Sequence, residues 1–263
     1  EFVAAVLEGA MKRADEKDFH IKPMPYYYDT NPEEILATCR AQRLSGLLCY
    51  NFPLKTLEFL RKELSKDGTV LVAIGNGETP EGCPQIIAND LQGGYLIARH
   101  LMNLGHERIA FVSTKYTGKY TSDRIDGLEK ALMEQGIKPQ KDWRIFSSDK
   151  EDISAFVDAV TSAKNGPTAF ICNGDGEAMV IMTCLLGKGF RVPQDYSVVG
   201  YGDAYAGRFL FPALTTISEP YFEMGAAGAD MVLERSLSGG KRVLDVQLLE
   251  RESSGPVAKR REK

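Results

Sequence analysis

No stretch of this sequence approaches the ~18 consecutive apolar residues of a membrane-spanning helix. Nor does it open on the basic start, apolar core and small-residue cleavage site of a secretory signal. It begins with Glu1 rather than Met, which predicts that chain upstream has been removed and leaves a targeting segment there open. Cysteine is scarce. Cys39, Cys49, Cys83, Cys172 and Cys184 are odd in number, irregularly spaced and free of any C-x-x-C pair, which excludes a disulfide framework and the common zinc and thiol-redox motifs. Cys49 and Cys172 lie inside apolar runs and read as buried thiols, a usage that points to a reducing compartment, the cytosol.

Catalytic signatures are missing as well. His20, His100 and His106 are far apart, and there is no H-E-x-x-H, no G-x-x-x-x-G-K-[ST] phosphate loop and no G-x-S-x-G elbow. Gly75-Asn76-Gly77, Gly174-Asp175-Gly176 and Gly200-Tyr201-Gly202 each follow an apolar run as a dinucleotide loop would. Each lacks the third glycine, where Pro80, Met179 and Tyr205 stand. They read as tight turns at strand ends. No enzyme activity, metal or cofactor is expected. An excess of positive charge is also missing: 32 Lys and Arg against 36 Asp and Glu give a net charge of −4. A nucleic-acid-binding surface is usually basic and clustered. The one basic cluster, Lys259-Arg260-Arg261 with Lys263, reads as a solvated tail.

What is present is alternation. With 263 residues, 43% of them hydrophobic and 26% charged, the chain is an ordinary globular protein of one large or two modest domains. Residues 2–14 carry Val3, Val6, Leu7, Ala10 and Met11 at helical spacing. Strand-length apolar runs follow at Met24 to Tyr28, Leu47 to Tyr50, Val70 to Ile74, Ile109 to Val112, Ala169 to Cys172 and Ser197 to Tyr201. Amphipathic stretches lie between them, at Glu33 to Arg43, Gly93 to Leu104, Arg124 to Gln135 and Ile153 to Ala163. This is the pattern of βαβ units and parallel sheet. Asn89 or Asp90 and Ser122 are candidate helix caps, and Gly105 and Gly136 candidate helix ends. Roughly a dozen elements exceed one sheet of about five or six strands, so two doubly wound halves are predicted, the first to about Val112 and the second from Tyr116 to Ile217. A helix from Tyr221 to Leu237 and a strand from Val243 to Leu249 break the alternation. A parallel half normally opens on a strand and this one opens on a helix, so its first strand is expected upstream of Glu1.

Polar residues recur where predicted strands end. Asn51, Asp90, Asn173, Asp175, Asp203 and Glu219 each follow such a run, and open α/β sheets bind ligands at that end. Arg124 opens a predicted helix and offers a five-donor fork suited to vicinal hydroxyls or a carboxylate. Phe52, Tyr120, Trp143 and Tyr221 could supply flat apolar walls. Taken singly, each acid also reads as a helix cap or turn former. Their recurrence in both halves supports a ligand cleft.

Ordered motifs carry a resemblance. Val198-Val199-Gly200-Tyr201-Gly202-Asp203, Pro212-Ala213-Leu214-Thr215-Thr216-Ile217 and Pro220-x-x-x-Met224-Gly225 resemble the LacI/GalR family of bacterial transcription regulators. So do Asp90-x-x-Gly93-Gly94, Leu104-Gly105-His106-x-x-Ile109-Ala110-Phe111, Arg124-x-x-Gly127, Pro167-Thr168-Ala169 and Val192-Pro193-x-Asp195-x-Ser197. The resemblance runs from Phe2 to Ser253. It implies a type I periplasmic-binding-protein-like fold: two doubly wound parallel-sheet α/β subdomains joined by three crossovers, with a sugar or similar effector in the cleft. The crossovers are expected near Ser113 to Lys115, Ser218 to Pro220 and Ser238 to Gly240. That gives subdomains 1–114 with 219–239 and 115–218 with 240–254, then a tail at 255–263. Residues matching effector-contacting positions are Asn51, Asp90, Arg124, Asp175, Asp203, Glu219 and Tyr221. Gly174 and Gly202 depart from the family, standing where many members have Asn and Asp, which puts a simple hexose in doubt and suggests a bulkier or more acidic effector. The resemblance also implies a cytoplasmic homodimer formed through the first subdomains, no membrane partner, and operator DNA bound only by a helix-turn-helix upstream. The competing readings are a solute-binding protein of a sugar transporter and a nucleotide-dependent enzyme.

Overall fold

The computed structural model describes residues 1–25, 27, 30–115, 118–235 and 240–257. In chain order the helices and strands are α1 (Phe2–Asp15), α2 (Pro32–Ala41), β1 (Gly46–Tyr50), α3 (Leu54–Leu64), β2 (Val70–Ile74), β3 (Gln85–Ala88), α4 (Asp90–Asn103), β4 (Ile109–Ser113), α5 (Lys119–Glu134) and β5 (Arg144–Phe146). They continue as α6 (Lys150–Ser162), β6 (Ala169–Cys172), α7 (Asp175–Gly187), β7 (Ser197–Val199), β8 (Thr216–Ser218), α8 (Tyr221–Leu233), β9 (Lys241–Leu244) and β10 (Gln247–Leu249). No helix among the described residues is long and apolar enough to cross a membrane. By contacts the chain forms two units. Unit 1 is Glu1–Ala88 with Pro220–Asp245, and unit 2 is Asn89–Glu219 with Val246–Lys263.

Unit 1 is built on a parallel sheet of order β1-β2-β3-β9. The odd residues Leu47 and Cys49 of β1 join Leu71 and Ala73 of β2 in a core with Ile35, Leu36 and Cys39 of α2 and Leu57, Leu60 and Leu64 of α3. Phe52 packs on the same core rather than standing free. On the opposite face Leu48 and Ile74 meet Gly228 of α8, as the two-residue side-chain period of a strand requires. Helix α1 lies on α8 at backbone contact: a Cβ on Gly9 would fall 1.9 Å from the Phe222 carbonyl oxygen, and one on Gly225 1.9 Å from that of Val6.

Unit 2 repeats the plan with sheet order β5-β4-β6-β7, all parallel. Thr215 extends it through a parallel bridge to Val199, and β8 pairs antiparallel with β10. Phe170, Val198, Leu214, Ile181 and Leu185 anchor its core, and Trp143 packs against that core. Helices α4 and α5 also touch at the backbone. A Cβ on Gly94 would lie 1.9 Å from the Arg124 carbonyl oxygen, and one on Gly127 2.1 Å from that of Leu91.

Several expectations are corrected. The first crossover falls between Ala88 and Asn89, not near Ser113 to Lys115, because α4 packs on α5 and β4 pairs with β5 and β6. The amphipathic pattern of α4 and the apolar run of β4 mark a covering helix and a buried strand but not the sheet they join. The single strand expected from Val243 to Leu249 is two: β9 pairs with β3 in unit 1 and β10 with β8 in unit 2, with Asp245 and Val246 between them. Residues 240–245 therefore leave the second subdomain. Helix α5 starts at Lys119 after Gly118, so Ser122 is not its cap; its hydroxyl donates back to the Lys119 carbonyl. Asn89 does cap α4, accepting from the Gln92 amide. Met24 and Pro25 form no strand; the rest of that expected strand at Tyr26 and Tyr28, residue 116, most of the crossover near Ser238 to Gly240 and the basic cluster at 259–263 lie outside the described residues.

The start of the expected tail is packed. The Val257 amide donates to the Leu104 carbonyl and the Gly255 amide to the Ser197 hydroxyl. Buried His106 joins these segments, with Nδ1 2.8 Å from the Thr168 hydroxyl and Nε2 2.9 Å from the Gly255 carbonyl oxygen. Burial holds the His106 imidazole neutral and its pKa below the ordinary value, against the opposing pull of the Gly255 carbonyl. His100 is lowered in the same sense, burial outweighing Glu250.

Two outcomes are expected. Gly127→Ala should destabilise unit 2 by about 1–3 kcal/mol, the range for forced overpacking, read as a lower urea midpoint; an unchanged midpoint would remove the backbone contact. The histidines set a pH dependence. Above about pH 6.5 they are neutral whether folded or unfolded. As pH falls through that value the unfolded chain takes up protons that the folded chain resists, so stability declines. Urea midpoints should fall between pH 7.5 and 5.5, and less steeply in His106→Asn; a flat profile in the parent chain refutes this.

Candidate functional site

The carboxyl end of the unit 2 sheet gathers buried polar groups. β6 ends at Cys172, so Asn173 leaves the sheet there, and β7 delivers Tyr201 two residues past its end. Arg124 projects from the second turn of α5. It is held there because α4 and α5 approach at Gly94 and Gly127, which brings the first residue of α4, Asp90, within reach.

Arg124 is 8% exposed and Asp90 3%. The Arg124 Nε donates to Asp90 Oδ1 at 2.7 Å. Its Nη1 donates to the Asn173 carbonyl oxygen and, at 3.3 Å, to the Asn173 side-chain oxygen. The Asn173 amide donates in turn to the Thr121 hydroxyl at 3.2 Å. The guanidinium carbon lies 3.4 Å from the Tyr201 ring centroid and 5.2 Å from that of Tyr120. Burial opposes the Arg124 charge, but Tyr201, Asp90 and Glu219 outweigh it and raise the pKa, so the cation persists. Burial and the facing carboxylates of Asp90 and Glu219 raise the Tyr201 phenol well above its usual value despite Arg124, so it stays protonated. A fixed guanidinium fork against an aromatic face and a carboxylate orients planar or hydroxylated acceptors.

Asp175 and Asp203 form a second group with different partners. Asp175 accepts from the Thr216 hydroxyl at 2.6 Å and from the Ala204 amide at 2.5 Å. Burial, aided by Asp203, raises its pKa against those hydrogen bonds. Asp203 takes the left-handed conformation at φ 54° and accepts from Arg251 at 2.5 Å and Arg208 at 2.6 Å. Both carboxylates are thus engaged by donors of unit 2 itself, and they fix the loop that follows Tyr201. Gly202, between the two anchors, has φ 120°, a conformation that side-chain-bearing residues rarely adopt.

Unit 1 carries the other two expected positions. Asn51 follows β1 with φ 53°, and its amide donates to the Ile74 carbonyl, so it sits at the carboxyl edge of that sheet. Tyr221 opens α8, its ring centroid 4.9 Å from that of Phe2. Within unit 2 the structure brings Asp90 and Arg124 together in one hydrogen-bonded cluster, with Glu219 acting on it electrostatically, and sets Asp175 beside Asp203 in another.

A model of the periplasmic binding protein-like domain matches residues 98–254. The HTH-type transcriptional repressor PurR of Salmonella arizonae is 30% identical over 239 residues, covering 89% of this chain and 69% of the relative. The chain belongs to the LacI/GalR family. A second family member, PurR of Edwardsiella ictaluri, is 34% identical over 207 residues, 77% of this chain and 60% of its own length. The first curated LacI/GalR relatives are longer proteins, of which this chain spans 45–60%. The LacI family transcriptional regulator of Enterococcus faecium, solved with bound ribose, shares the fold at a TM-score of 0.77 and 23% identity, covering 97% of this chain and 94% of that one. The relatives favour the regulator over the solute-binding protein among the competing readings.

The departures from the LacI/GalR pattern now have a physical setting. Gly202 adopts a backbone that an Asp would strain. A Cβ on Gly174 would fall 2.7 Å from the Glu177 carboxylate oxygen, so Glu177 fills the space beside residue 174. Glu177 and Thr121 were not singled out from sequence. A Glu three residues after a helix-opening Gly reads only as a first-turn acid, and nothing in the pattern marks Thr121 apart from its helix phase with Arg124.

Removing Asp90 tests the cluster. Taking away one partner of a buried ion pair typically costs about 3–5 kcal/mol, so Asp90→Ala should lower the urea-derived stability by that amount, and Lys119→Ala, whose partner Asp123 is a solvent-side neighbour, by less than about 1 kcal/mol. Equal effects would show that the Arg124–Asp90 pair is not buried.

Proposed function

We propose that the chain is the effector-sensing domain of a transcription regulator, a repressor, and that the effector is a sugar or sugar derivative. The observation that carries this reading is the buried Arg124 fork, held between Asp90, Asn173 and Tyr201 at the carboxyl edge of a parallel sheet. A guanidinium so fixed suits vicinal hydroxyls or a carboxylate, and an aromatic face suits a sugar ring. The ribose bound to the Enterococcus faecium relative supports the ligand class. Asn51, Glu219 and Tyr221 are further proposed contacts. Asp175 and Asp203 are assigned mainly to holding the Tyr201 loop, because their oxygens already accept from Thr216, Ala204, Arg251 and Arg208.

The regulatory step would be a shift between two states of the domain, and an effector shifts them only by its difference in affinity. In the full protein a homodimer formed through unit 1 would pass that shift to an upstream helix-turn-helix on operator DNA, in the cytoplasm.

Titration calorimetry with pentoses, hexoses and sugar acids tests the reading. At least one compound should bind. Arg124→Lys keeps the charge and loses the fork, and should weaken that binding by about 1–3 kcal/mol, roughly 5- to 150-fold. A cooperatively melting chain that binds none of the panel, or an Arg124→Lys variant of unchanged affinity, would overturn it.

A further inference from the structure

Residues 251–257 close the described part of unit 2 as a strap beside β7. Ser253 is wholly buried. Its carbonyl accepts from the Val198 amide at 2.8 Å, and its hydroxyl donates to the Val198 carbonyl at 2.6 Å and accepts from the Thr215 amide at 2.8 Å. Arg251 donates to the Leu214 carbonyl at 2.8 Å and to Asp203 at 2.5 Å. Tyr201 lies in the chain between Val198 and Asp203, so the strap holds both ends of the segment that carries its ring against Arg124. Two histidines hold the strap in turn. His100 Nε2 is 2.8 Å from the Ser254 hydroxyl, and His106 Nε2 is 2.9 Å from the Gly255 carbonyl oxygen. That oxygen only accepts, so Nε2 carries the His106 proton and Nδ1 accepts from the Thr168 hydroxyl. A second proton, on Nδ1, would turn the Thr168 hydroxyl toward the Arg108 carbonyl, 3.4 Å away, too far for a sound hydrogen bond. Thr168, Ser197 and Gly255 are neutral, and the charged groups facing His106 are Arg108 and a protonated His100. His100 faces Glu250, whose exposed carboxylate is 3.5 Å from Nδ1.

We propose that residues 251–257 are an acid-released latch on the Tyr201 segment: protonation of His106 and His100 favours an open strap, and opening loosens the segment while the rest of unit 2 stays folded. In the open strap water reaches both rings, and each titrates near its ordinary value of about 6.5. In the closed strap burial holds both lower. Above about pH 6.5 the two forms bind the same protons. Below it the open form binds more, so opening gains up to about tenfold per histidine for each unit of pH. The contacts of Asp203 with Arg208 and of the Ala204 amide with Asp175 remain, so the segment loosens without leaving the sheet. The latch rests on contacts within unit 2; its bearing on ligand affinity rests on the proposed reading of Arg124 and Tyr201 as part of the effector site.

Hydrogen exchange on the 263-residue chain tests the latch, with rates corrected for the intrinsic effect of pH on exchange. The Gly255 and Val257 amides donate to the Ser197 hydroxyl and the Leu104 carbonyl, and those of Val198 and Gly202 to the Ser253 and Ile217 carbonyls. All four should lose protection together, by about tenfold or more between pH 7.5 and 5.5. Dilute urea should leave their exchange unchanged while speeding that of β4 and β6 amides, because a local opening exposes little surface. In His106→Asn, and separately in His100→Gln, the fall with pH should be several-fold smaller. A flat pH profile in the parent chain overturns the proposal, and so does an undiminished fall in both variants. Strap exchange that follows urea as β4 and β6 do overturns it too, as does a Gly202 amide that keeps its protection when the strap amides lose theirs. None of these readouts involves an effector, so the two proposals fail separately.

Discussion

The contact between α4 and α5 at Gly94 and Gly127 is the constraint on which unit 2 depends. Two helices normally stand 8–10 Å apart on their side chains. Here each glycine faces the other helix's backbone directly, and Gly94 rests on the backbone of Arg124 itself. That approach brings an Arg on one helix against an Asp in the first turn of the other, and the ion pair closes below the surface. Without the two glycines Arg124 would need to span a wider gap, and a buried guanidinium without its carboxylate is among the costlier defects a core can hold.

Acidic side chains at the carboxyl end of one sheet then divide into different tasks. Asp90 neutralises a buried cation. Asp175 and Asp203 tether the loop after β7 through a hydroxyl, an amide and two guanidinium groups. Glu219 acts on the cluster through space. The tether matters because Tyr201 forms one face of the Arg124 nest. A loop held at Asp175 and Asp203 keeps that ring against the guanidinium, so the order of the cluster is built during folding.

The alternation of elements was legible because parallel-sheet strands are short apolar runs and their covering helices amphipathic. Every such run from Leu47 onward is wholly or partly a strand. The division into units was not legible in the same way. α4 and β4 bear the burial pattern of their type whichever sheet they join, and the helix contact that decides it is made by Gly94 on the Arg124 backbone and Gly127 on the Leu91 backbone, residues with no side chain to betray it. The split at Asp245 and Val246 is hidden for a related reason, since two strands of four and three residues in one line look like one. At the site, Arg124 and Asp90 stood out through position and residue type. That Asp203 is pinned by Arg208 and Arg251, or that Glu177 lies over Gly174, depends on loop geometry that one-dimensional spacing does not encode.

The pairing of β3 with β9 also governs how the chain can be made. On its side away from β2, Gln85 pairs with Lys241, so a ribosome must deliver all of β4 through β8 before the unit 1 sheet can be finished. Closing so long a loop adds little to the equilibrium cost, which grows only logarithmically with length, but it slows folding because the contact is remote. Until then β3 has an open apolar edge, and such edges are where nascent chains associate wrongly. Completion of the unit 1 sheet therefore follows synthesis of nearly all of unit 2.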